Sequence, residues 1–356
     1  MTIERMIIMN KNNLYVDIHV LQNVPPSCIN RDDTGSPKTA KYGGVVRARV
    51  SSQSWKHEIR KMFEKEFEED KLGIRTRKVS QMIASEIQKI DDSISDEKAD
   101  KLSQKTLGNI GVKVGKNGDS SVLMFFSRMQ AKALAKLIMN DVKDKNEYKV
   151  ALKAFPSVDM ALFGRMVASD PSLNYDAAAQ VAHAISTHAV HNEYDYFTAV
   201  DDVSKDDESG AGHLGTIEFN SSTLYRYANV NVLELEKNLK MDTAEAVRGF
   251  VSSFIKSMPT GKQNTFANRT VPDFVYITIR KDQPINFVGA FEKPVSGSNG
   301  YLEESEKRFM EYAKKIYKNY ACEPEMILMF GDMNIEEILN ELKNVIEERL
   351  NESEVE

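Results

Sequence analysis

The chain has 356 residues, of which 41% are hydrophobic and 28% charged, and its formal net charge is −6. These values are typical of a soluble globular protein with a sizeable core and exclude a disordered chain. No stretch reaches the roughly 18 uninterrupted apolar residues of a membrane span, and the N-terminal residues lack the apolar core of a cleavable signal, so we expect a cytoplasmic protein. Cys28 and Cys322 lie far apart without a CxxC spacing, which argues against a disulfide framework or a thiolate metal site.

A strand and a long loop open the chain. Residues 14–21 alternate between two faces, which predicts a half-buried strand that ends at a pair of prolines. Residues 27–42 are rich in Pro, Gly, Asp and Asn and predict a loop, longer than a simple connection needs. Asp32 and Asp33 lie in it, but Asp commonly bonds the backbone of its own turn, so the pair is weak evidence for a metal site.

The next stretch reverses the sign of the charge. From Lys38 to Lys61, seven cations accompany a single carboxylate, a net charge of +6 in a chain of −6. Arg47 and Arg49 alternate with apolar residues, which predicts a strand with one basic face. From Gln53 onward the apolar period is helical, and two serines precede it as candidate N-caps. A helix N-terminus between cations suits a phosphate, so we favour anion binding over the alternative of a solvated charged helix face.

The middle of the chain is predicted to be mainly helical from residue 71 to residue 155, with a short apolar run at 122–126 that fits a strand or the lead into a helix. Its GVKVGKN segment lacks the spacing and the Ser/Thr of a phosphate loop, so an NTPase is excluded. Residues 159–166 predict a strand, and residues 175–190 predict a helix.

Three histidines fall in that predicted helix or directly after it, which suggests a metal site at first sight. His183 and His188 are five residues apart, however, and would lie on opposite faces of a helix, unlike the i, i+4 pair of a zinc helix. We therefore interpret them as structural or surface histidines and predict no metal site.

Two β-rich segments, 194–202 and 218–232, enclose an acidic, glycine-rich stretch. Composition alone fits either a protruding hairpin or a disordered surface loop.

A predicted amphipathic helix at 243–258 is followed by PTGKQNTFANRT, where amides and cations surround Phe266 without an acid. Such a loop suits single-stranded nucleic acid, with a solvated turn as the alternative.

The C-terminal part is acidic. A short β-like segment at 286–291 is followed by predicted helices at 302–320 and 335–350 around a strand at 326–330. Residues 301–356 hold 15 acids and 7 bases, a net charge of −8, so the overall charge hides a bipolar chain. No catalytic triad, acid/base carboxylate pair or nucleophile elbow is evident, and an enzyme is not the first interpretation.

Several of these motifs resemble one family. The run from Pro26 through NRDD, two glycines and SSQSWK to Arg60 resembles the CasC family, the backbone subunit of the type I-E CRISPR surveillance complex, Cascade. VDMALFGRM, VAHAISTHAV, YFTAVDD and GHLGTIEF with LYRYANVN resemble its second half. The resemblance implies an α+β fold with a ferredoxin-like (RRM-like) palm, a helical fingers insertion and a protruding β-hairpin thumb.

The implied boundaries follow the chain. They are 14–64 for the first part of the palm with the RNA-binding loop and helix, 65–155 for the fingers, 156–193 for palm, 194–226 for the thumb, and 227–356 for the rest of the palm with acidic C-terminal helices.

The resemblance implies a non-catalytic CRISPR RNA-binding subunit for antiviral defence. Its partners would be copies of itself in a helical filament along the guide spacer, other Cascade subunits, and target DNA paired to the guide in segments; no membrane and no cofactor are expected. The candidate RNA-binding residues, from the resemblance and from the basic segments together, are Asn30, Arg31, Lys38, Lys41, Arg47, Arg49, Ser51, Ser52, Gln53, Lys56, Arg60, Lys262, Gln263 and Asn264.

The resemblance also places Met166 at a base-displacement wedge, with Thr198, His213 and Leu214 at the neighbouring thumb. An alternative comes from the related backbone subunits of type III CRISPR complexes, which cut bound RNA with an Asp in the first loop. By that analogy Asp32 or Asp33 would serve a metal-dependent ribonuclease.

Overall fold

A computed structural model describes residues 13–115, 117–167, 171–199 and 213–355. The strands are β1 Tyr15–Ser27, β2 Thr39–Tyr42, β3 Val45–Val50, β4 Gly73–Thr76, β5 Met124–Ser127, β6 Ala179–Val181, β7 Ala184–Ser186, β8 Glu193–Ala199, β9 His213–Asn231, β10 Phe274–Arg280 and β11 Met326–Met329. The helices are α1 Ser52–Glu66, α2 Val79–Ile90, α3 Asp96–Asn109, α4 Arg128–Met139, α5 Lys145–Lys153, α6 Val158–Phe163, α7 Val232–Leu239, α8 Thr243–Lys256, α9 Gln263–Phe266, α10 Leu302–Asn319 and α11 Ile335–Val355.

The chain forms two compact units, and the mixed α and β composition expected from the sequence is confirmed. The sheet unit comprises Met1–Ile59, Val181–Asn229 and Val251–Leu342. The helical unit comprises Arg60–Gln180, Val230–Phe250 and Lys343–Glu356. In the part of the chain that the structure describes, no helix combines the length and apolar character needed to cross a membrane.

The sheet unit is built on one large sheet with the strand order β11-β10-β1-β9-β7-β3-β2. Its interior strand β1 is antiparallel to β10, with Ile18 opposite Ile277. Successive residues of β1 from Val16 to Gln22 are all buried, so the strand is covered on both faces. The prediction of a half-buried strand ending at the prolines was therefore wrong, since β1 continues to Ser27.

Each face of β1 has its own packing. On one face an aromatic cluster that includes Phe287 and Phe309 surrounds His19, whose ring stacks on Phe287 with centroids 4.6 Å apart. On the other face the Arg226 guanidinium lies 3.8 Å from the centroid of the Trp55 ring and 4.7 Å from that of Phe254. This two-sided burial explains why polar residues of β1 are buried together with its apolar ones.

Three predicted elements were wrong in type. Residues 159–166 contain a helix, α6, which ends at Gly164 with φ +79°, instead of a strand. Residues 175–190 contain strands β6 and β7 instead of a helix. Residues 287–291 form a 3-10 turn, in which the Asn286 side chain accepts from the Val288 N–H, instead of a strand.

The reason is burial on all sides. α6 is almost wholly buried, and β7 pairs with β3 on one side and β9 on the other, so neither element shows the periodicity of a surface-facing segment. Short apolar runs of this kind cannot be assigned to helix or strand from pattern alone.

The helical unit has a separate core. Helices α2 to α5 bury Ile83, Leu107, Leu134 and Leu152 in one cluster, which confirms the helical prediction for this part of the chain. The run at 122–126 resolves into β5, antiparallel to β4. Helix α4 begins with a capping box, in which the Ser127 hydroxyl accepts from the Gln130 N–H and the Gln130 side chain accepts from the Ser127 N–H.

Candidate nucleic-acid interface

The β2–β3 hairpin carries part of the basic segment. Tyr42 pairs with Val45 across a two-residue turn in which Gly43 and Gly44 have φ of +59° and +82°. A Cβ on Gly43 would lie 1.7 Å from the carbonyl oxygen of Glu292, so this turn accepts only glycine there. The hairpin is thus fixed against the loop that contains Glu292.

Arg47 helps to hold the hairpin against that loop. Its side chain is buried and donates to the carbonyl oxygens of Ser186 at 2.9 Å, Phe291 at 2.8 Å and Tyr42 at 3.2 Å. All three contacts are within the sheet unit. The predicted basic face of β3 is therefore divided, because Arg47 is used inside the protein while Arg49, two residues on, remains partly exposed.

A first cation group surrounds His183. Nη1 of Arg49 lies 3.3 Å from Nδ1 of His183. Partial burial and then the charges of Arg49 and Lys38 lower the pKa of His183. The sequence predicts His183 to be a structural or surface histidine; the structure places it beside two of the predicted RNA-binding cations.

Asn30 joins the first loop to helix α1. Its main-chain oxygen accepts from the Lys38 N–H at 2.8 Å, and its side-chain oxygen accepts from the Ser51 N–H at 2.9 Å. The Ser51 hydroxyl in turn accepts from the Ser54 N–H at 3.3 Å, which confirms Ser51 as the predicted N-cap. The first turn of α1 contains no acid and exposes Gln53, so its positive dipole end is not neutralised locally.

A second cation group forms where two loops meet. A Cβ on Gly261 would lie 2.4 Å from the Ile29 carbonyl oxygen and 2.9 Å from that of Cys28, so the loop after α8 closely approaches the first loop. Burial raises the pKa of the Cys28 thiol; the nearby charges of Arg31 and Lys262 act against that rise, and the carboxylates of Glu218 and Asp32 add to it to a lesser extent. Arg31 and Lys262, 231 positions apart in sequence, are therefore neighbours of the same thiol.

The loop after α8 has a defined conformation. Lys262 has φ +52° and directly precedes α9, whose Gln263 is partly buried while the next residue, Asn264, is exposed. The Phe266 ring lies 5.7 Å from the ring of Phe219 on β9. This loop therefore presents polar side chains while its aromatic residue packs against the protein.

Asp32 is used within its own turn. One oxygen of its carboxylate accepts from the Thr34 hydroxyl at 2.7 Å, the Thr34 N–H at 2.9 Å and the Ser36 N–H at 3.1 Å. These bonds, with the Thr34 hydroxyl first, lower the pKa of Asp32. This confirms the interpretation of Asp32 as a turn residue, whereas Asp33 is simply exposed.

The remaining cations of the basic segment differ in their surroundings. Lys41 is exposed on β2, and Lys56 is half-buried on α1, as is Ser52 at its start. Arg60 binds the Asp159 carboxylate at 2.9 Å and lies 4.8 Å from the centroid of the Phe125 ring. Like Arg47, Arg60 therefore uses its guanidinium group for contacts within its own unit.

Met166 lies beside a rigid anchor in the helical unit. Arg165 is buried and donates to the carbonyl oxygens of Leu173 at 2.7 Å and Leu152 at 3.1 Å, and its backbone pairs with Tyr175. Met166, the next residue, is 84% exposed. An apolar side chain held this far out of the protein has the form that a wedge requires.

The arms of the predicted hairpin do pair. β8 and β9 are antiparallel, with Thr198 opposite Leu214 and Ala199 opposite His213. Residues 193–198 of β8 are all exposed, so this strand buries neither of its faces. Gly215 leaves room for the ring of Phe197, because a Cβ there would lie 2.4 Å from its Cζ. The side chains of His213 and Leu214, and residues 200–212, lie outside the described part of the chain.

Among the residues that the structure describes, no group of three His, Cys, Asp or Glu side chains is placed to hold a metal ion. The chemistry that the described site offers is instead multiple cation contacts to an anion, with amide groups and a helix N-terminus nearby.

A family model described as CT1975-like protein matches residues 16–352. The chain belongs to the CT1975-like protein family. It is 31% identical to a chain of a solved structure described as "CRISPR RNA-guided surveillance complex, pre-nicking", with a TM-score of 0.79 over 94% of this chain and 100% of that one. A second structure, "CRISPR RNA-guided surveillance complex", gives 30% identity and a TM-score of 0.59 over 93% and 98%. A search of curated protein sequences gave no significant match.

These findings confirm the family inferred from the sequence motifs, that of the Cascade backbone proteins. The CT1975-like match runs through both units of the chain, including the loops that carry Arg31 and Lys262.

Proposed function

We propose that this chain is a non-catalytic, cytoplasmic CRISPR RNA-binding backbone subunit of a type I-E Cascade complex. It oligomerises along the guide spacer as a helical filament, together with other Cascade subunits, and presents the guide in segments for pairing with target DNA. The observation that carries the proposal is the meeting of two distant basic loops at Cys28, in a chain similar to subunits of RNA-guided surveillance complexes.

The RNA backbone is held by the cations that remain near the surface. Arg31 and Lys262 form one group, and Lys38 and Arg49 form the other. Asn30 lies in the first loop with Arg31 and Lys38, and it connects that loop to the N-terminus of α1. Lys41, Lys56, the first turn of α1, Gln263 and Asn264 complete the proposed surface. Arg47 and Arg60 are left out of this set because carbonyl oxygens and a carboxylate use their donors. Cations on phosphates carry no base information, so any guide sequence fits.

The palm, fingers and thumb are part of the proposal. The antiparallel sheet of the sheet unit is the ferredoxin-like palm, helices α2 to α5 are the fingers, and the β8–β9 ribbon is the thumb. Met166 acts as a wedge that occupies the place of a displaced base, supported by Thr198 and Leu214. Its exposure beside the anchored Arg165 supports this role.

Co-expression with the genomic neighbours tests the proposal directly. The expected result is a complex that co-purifies with one class of RNA of uniform length, whose variable part is protected from nuclease. Recovery of protein without RNA, or with random RNA fragments only, would contradict a backbone role.

The alternative, a metal-dependent ribonuclease, requires Asp32 or Asp33. The three hydrogen bonds that Asp32 accepts within its own turn argue against it as a metal ligand. We expect the assembled complex to leave complementary target RNA intact with Mg²⁺ or Mn²⁺, and the double variant Asp32→Asn/Asp33→Asn to behave identically. Cleavage by the wild type that disappears in the double variant would establish the enzyme instead.

A further inference from the structure

Phe155 is an exposed aromatic residue held in an unusual backbone conformation. Its φ is +55° and its side chain is 57% exposed. Four other non-glycine residues in the described part of the chain have positive φ, and none of them is aromatic. The left-handed region favours Gly, Asn and Asp, and a bulky residue there carries backbone strain.

The strain at Phe155 is not offset by burial of its ring, since more than half of the side chain faces solvent. The conformation is held through the main-chain carbonyl group of Phe155. The Phe155 carbonyl oxygen accepts from the Ser127 hydroxyl at 2.8 Å, and Ser127 also caps helix α4. A strained position fixed in this way, with an exposed ring, points to a function for the ring.

The segment that carries Phe155 is tied to the segment that carries Met166. Arg165 donates to the Leu152 carbonyl oxygen at 3.1 Å, and the Tyr175 hydroxyl donates to the carbonyl oxygen of Lys153. Tyr175 itself pairs with Arg165, the residue before Met166. Phe155 and Met166 are thus two exposed apolar side chains on one hydrogen-bonded framework within the helical unit.

The surroundings of Phe155 favour a polyanion with flat apolar faces. Helix α5, which ends two residues earlier, exposes Lys145, Lys149 and Lys153 against the single acid Glu147. A nucleic-acid strand satisfies both features, because its phosphates suit the lysines and its bases stack on an aromatic ring. An acidic or purely apolar protein partner would satisfy only one.

We propose that Phe155 stacks on the base that Met166 displaces. This inference rests on the proposed function: Met166 occupies the place of the base, and the ring of Phe155 gives the displaced base a new stacking partner. Because every base has a π face, the interaction tolerates any base but requires that a base be present.

Abasic substitution separates this proposal from simple displacement. Complexes assembled on guide RNA are titrated with target DNA that carries either one mismatch or one abasic residue at each position, and the same abasic scan is made in the guide. At displaced positions a mismatch should have no effect, whereas an abasic residue should weaken target binding about 5- to 150-fold, the range of one base–aromatic stack.

The test variant is Phe155→Asn, because asparagine tolerates a left-handed backbone and removes the ring without adding strain. Its melting temperature should equal or exceed that of the wild type, and it should bind intact and abasic strands equally at the displaced positions. Phe155→Tyr should restore the difference. Val150→Ala, at a 66% exposed apolar site on α5, is the matched control and should behave as wild type.

The role of Phe155 would be overturned if the wild type bound intact and abasic strands equally at all displaced positions, whether the abasic residue lies in the guide or in the target. Weaker self-association of Phe155→Asn than of the wild type in the absence of any RNA would also overturn it, because that result would mark the ring as a protein contact. If no periodic mismatch-tolerant positions exist at all, the proposed function itself fails, a result that is distinct from the other two.

Discussion

Arginine residues of this chain show how differently one side chain is used at neighbouring positions. Arg47 and Arg49 share a face of β3, yet Arg47 is buried among carbonyl oxygens and Arg49 reaches His183 near the surface. What separates them is the turn around Phe291, which covers Arg47 from a position far along the chain. Replacement of Arg47 should therefore lower stability, whereas replacement of Arg49 should weaken RNA binding.

Replacement of Arg31 or Lys262 by alanine should weaken the binding of all single-stranded RNA sequences alike. Each variant removes one phosphate contact, so the slope of log affinity against log salt should flatten by about 0.7. Lys237→Ala, at an exposed lysine paired with Glu234 on α7, is the matched control and should keep the wild-type slope. A change of sequence preference at constant slope would contradict backbone contact.

Arg47→Ala should instead lower stability. It leaves buried carbonyl oxygens of Ser186 and Phe291 without a donor, at a cost of about 3 kcal/mol in the free energy of unfolding. Urea titration measures this loss, and Arg47→Lys should not restore it, because one ammonium group cannot reproduce the guanidinium fork. If Arg47→Ala is stable but binds RNA with a flattened salt slope, Arg47 belongs to the RNA surface after all.

At the scale of an element, β1 carries a polar network through the centre of the sheet unit. The Asp17 carboxyl accepts from the Tyr227 hydroxyl at 2.7 Å and from the Ile285 N–H at 3.0 Å. Burial nevertheless raises the pKa of Asp17 from 3.8 to about 7. Nearby on the same strand, burial lowers the pKa of His19 from 6.5 to about 3.

The pH dependence of stability follows from these two shifts. Between pH 3.8 and about 7 the folded chain retains a proton on Asp17 that the unfolded chain loses, so this residue makes stability fall as pH rises. His19 acts in the opposite sense below pH 6.5, because only the unfolded chain binds its proton.

Asp17→Asn isolates the first effect, since the amide imitates the neutral carboxyl. The gain in unfolding free energy of this variant over wild type should grow from about pH 4 to pH 7 and then level off, as urea titrations at several pH values would show. A constant difference across this range would mean that Asp17 is ionised in the folded protein.

The amphipathic helices α2, α10 and α11 were predictable, because each has one solvent-facing side that preserves the helical period. Helix α6 and strand β7 were not, because burial on all sides removes the period. Sequence likewise suggested two basic loops but could not bring them together, since the contact of Gly261 with Ile29 joins residues 232 positions apart.

At the scale of the whole molecule, rigid identical subunits cannot follow an A-form duplex indefinitely, because the twist of the duplex and the repeat of the protein differ in general. A recurrent break in base pairing relieves this difference between twist and repeat. An exposed Met166 in every copy could impose the break by unstacking one base, at a cost of a few kcal/mol.

Single mismatches scanned along the target should therefore be harmless at regularly spaced positions and harmful between them. Met166→Ala should reduce this tolerance while leaving assembly intact. Met241→Ala is the matched control, because that methionine is fully exposed in a different part of the helical unit. A smooth decline of sensitivity along the target, without periodic tolerant positions, would contradict the wedge.

The pairing of β1 with β10 also governs when the protein can become functional during its synthesis. Leu21 faces Phe274 and Tyr15 faces Arg280, so a ribosome that adds about 5–20 residues per second must work for roughly 13–50 s after β1 before its partner exists. Through that interval β1 is an apolar strand with an open edge, which invites pairing with other chains. Lys262 is made equally late. In the proposed function, a nascent chain therefore engages the guide only after β10 and the loop that carries Lys262 have been made.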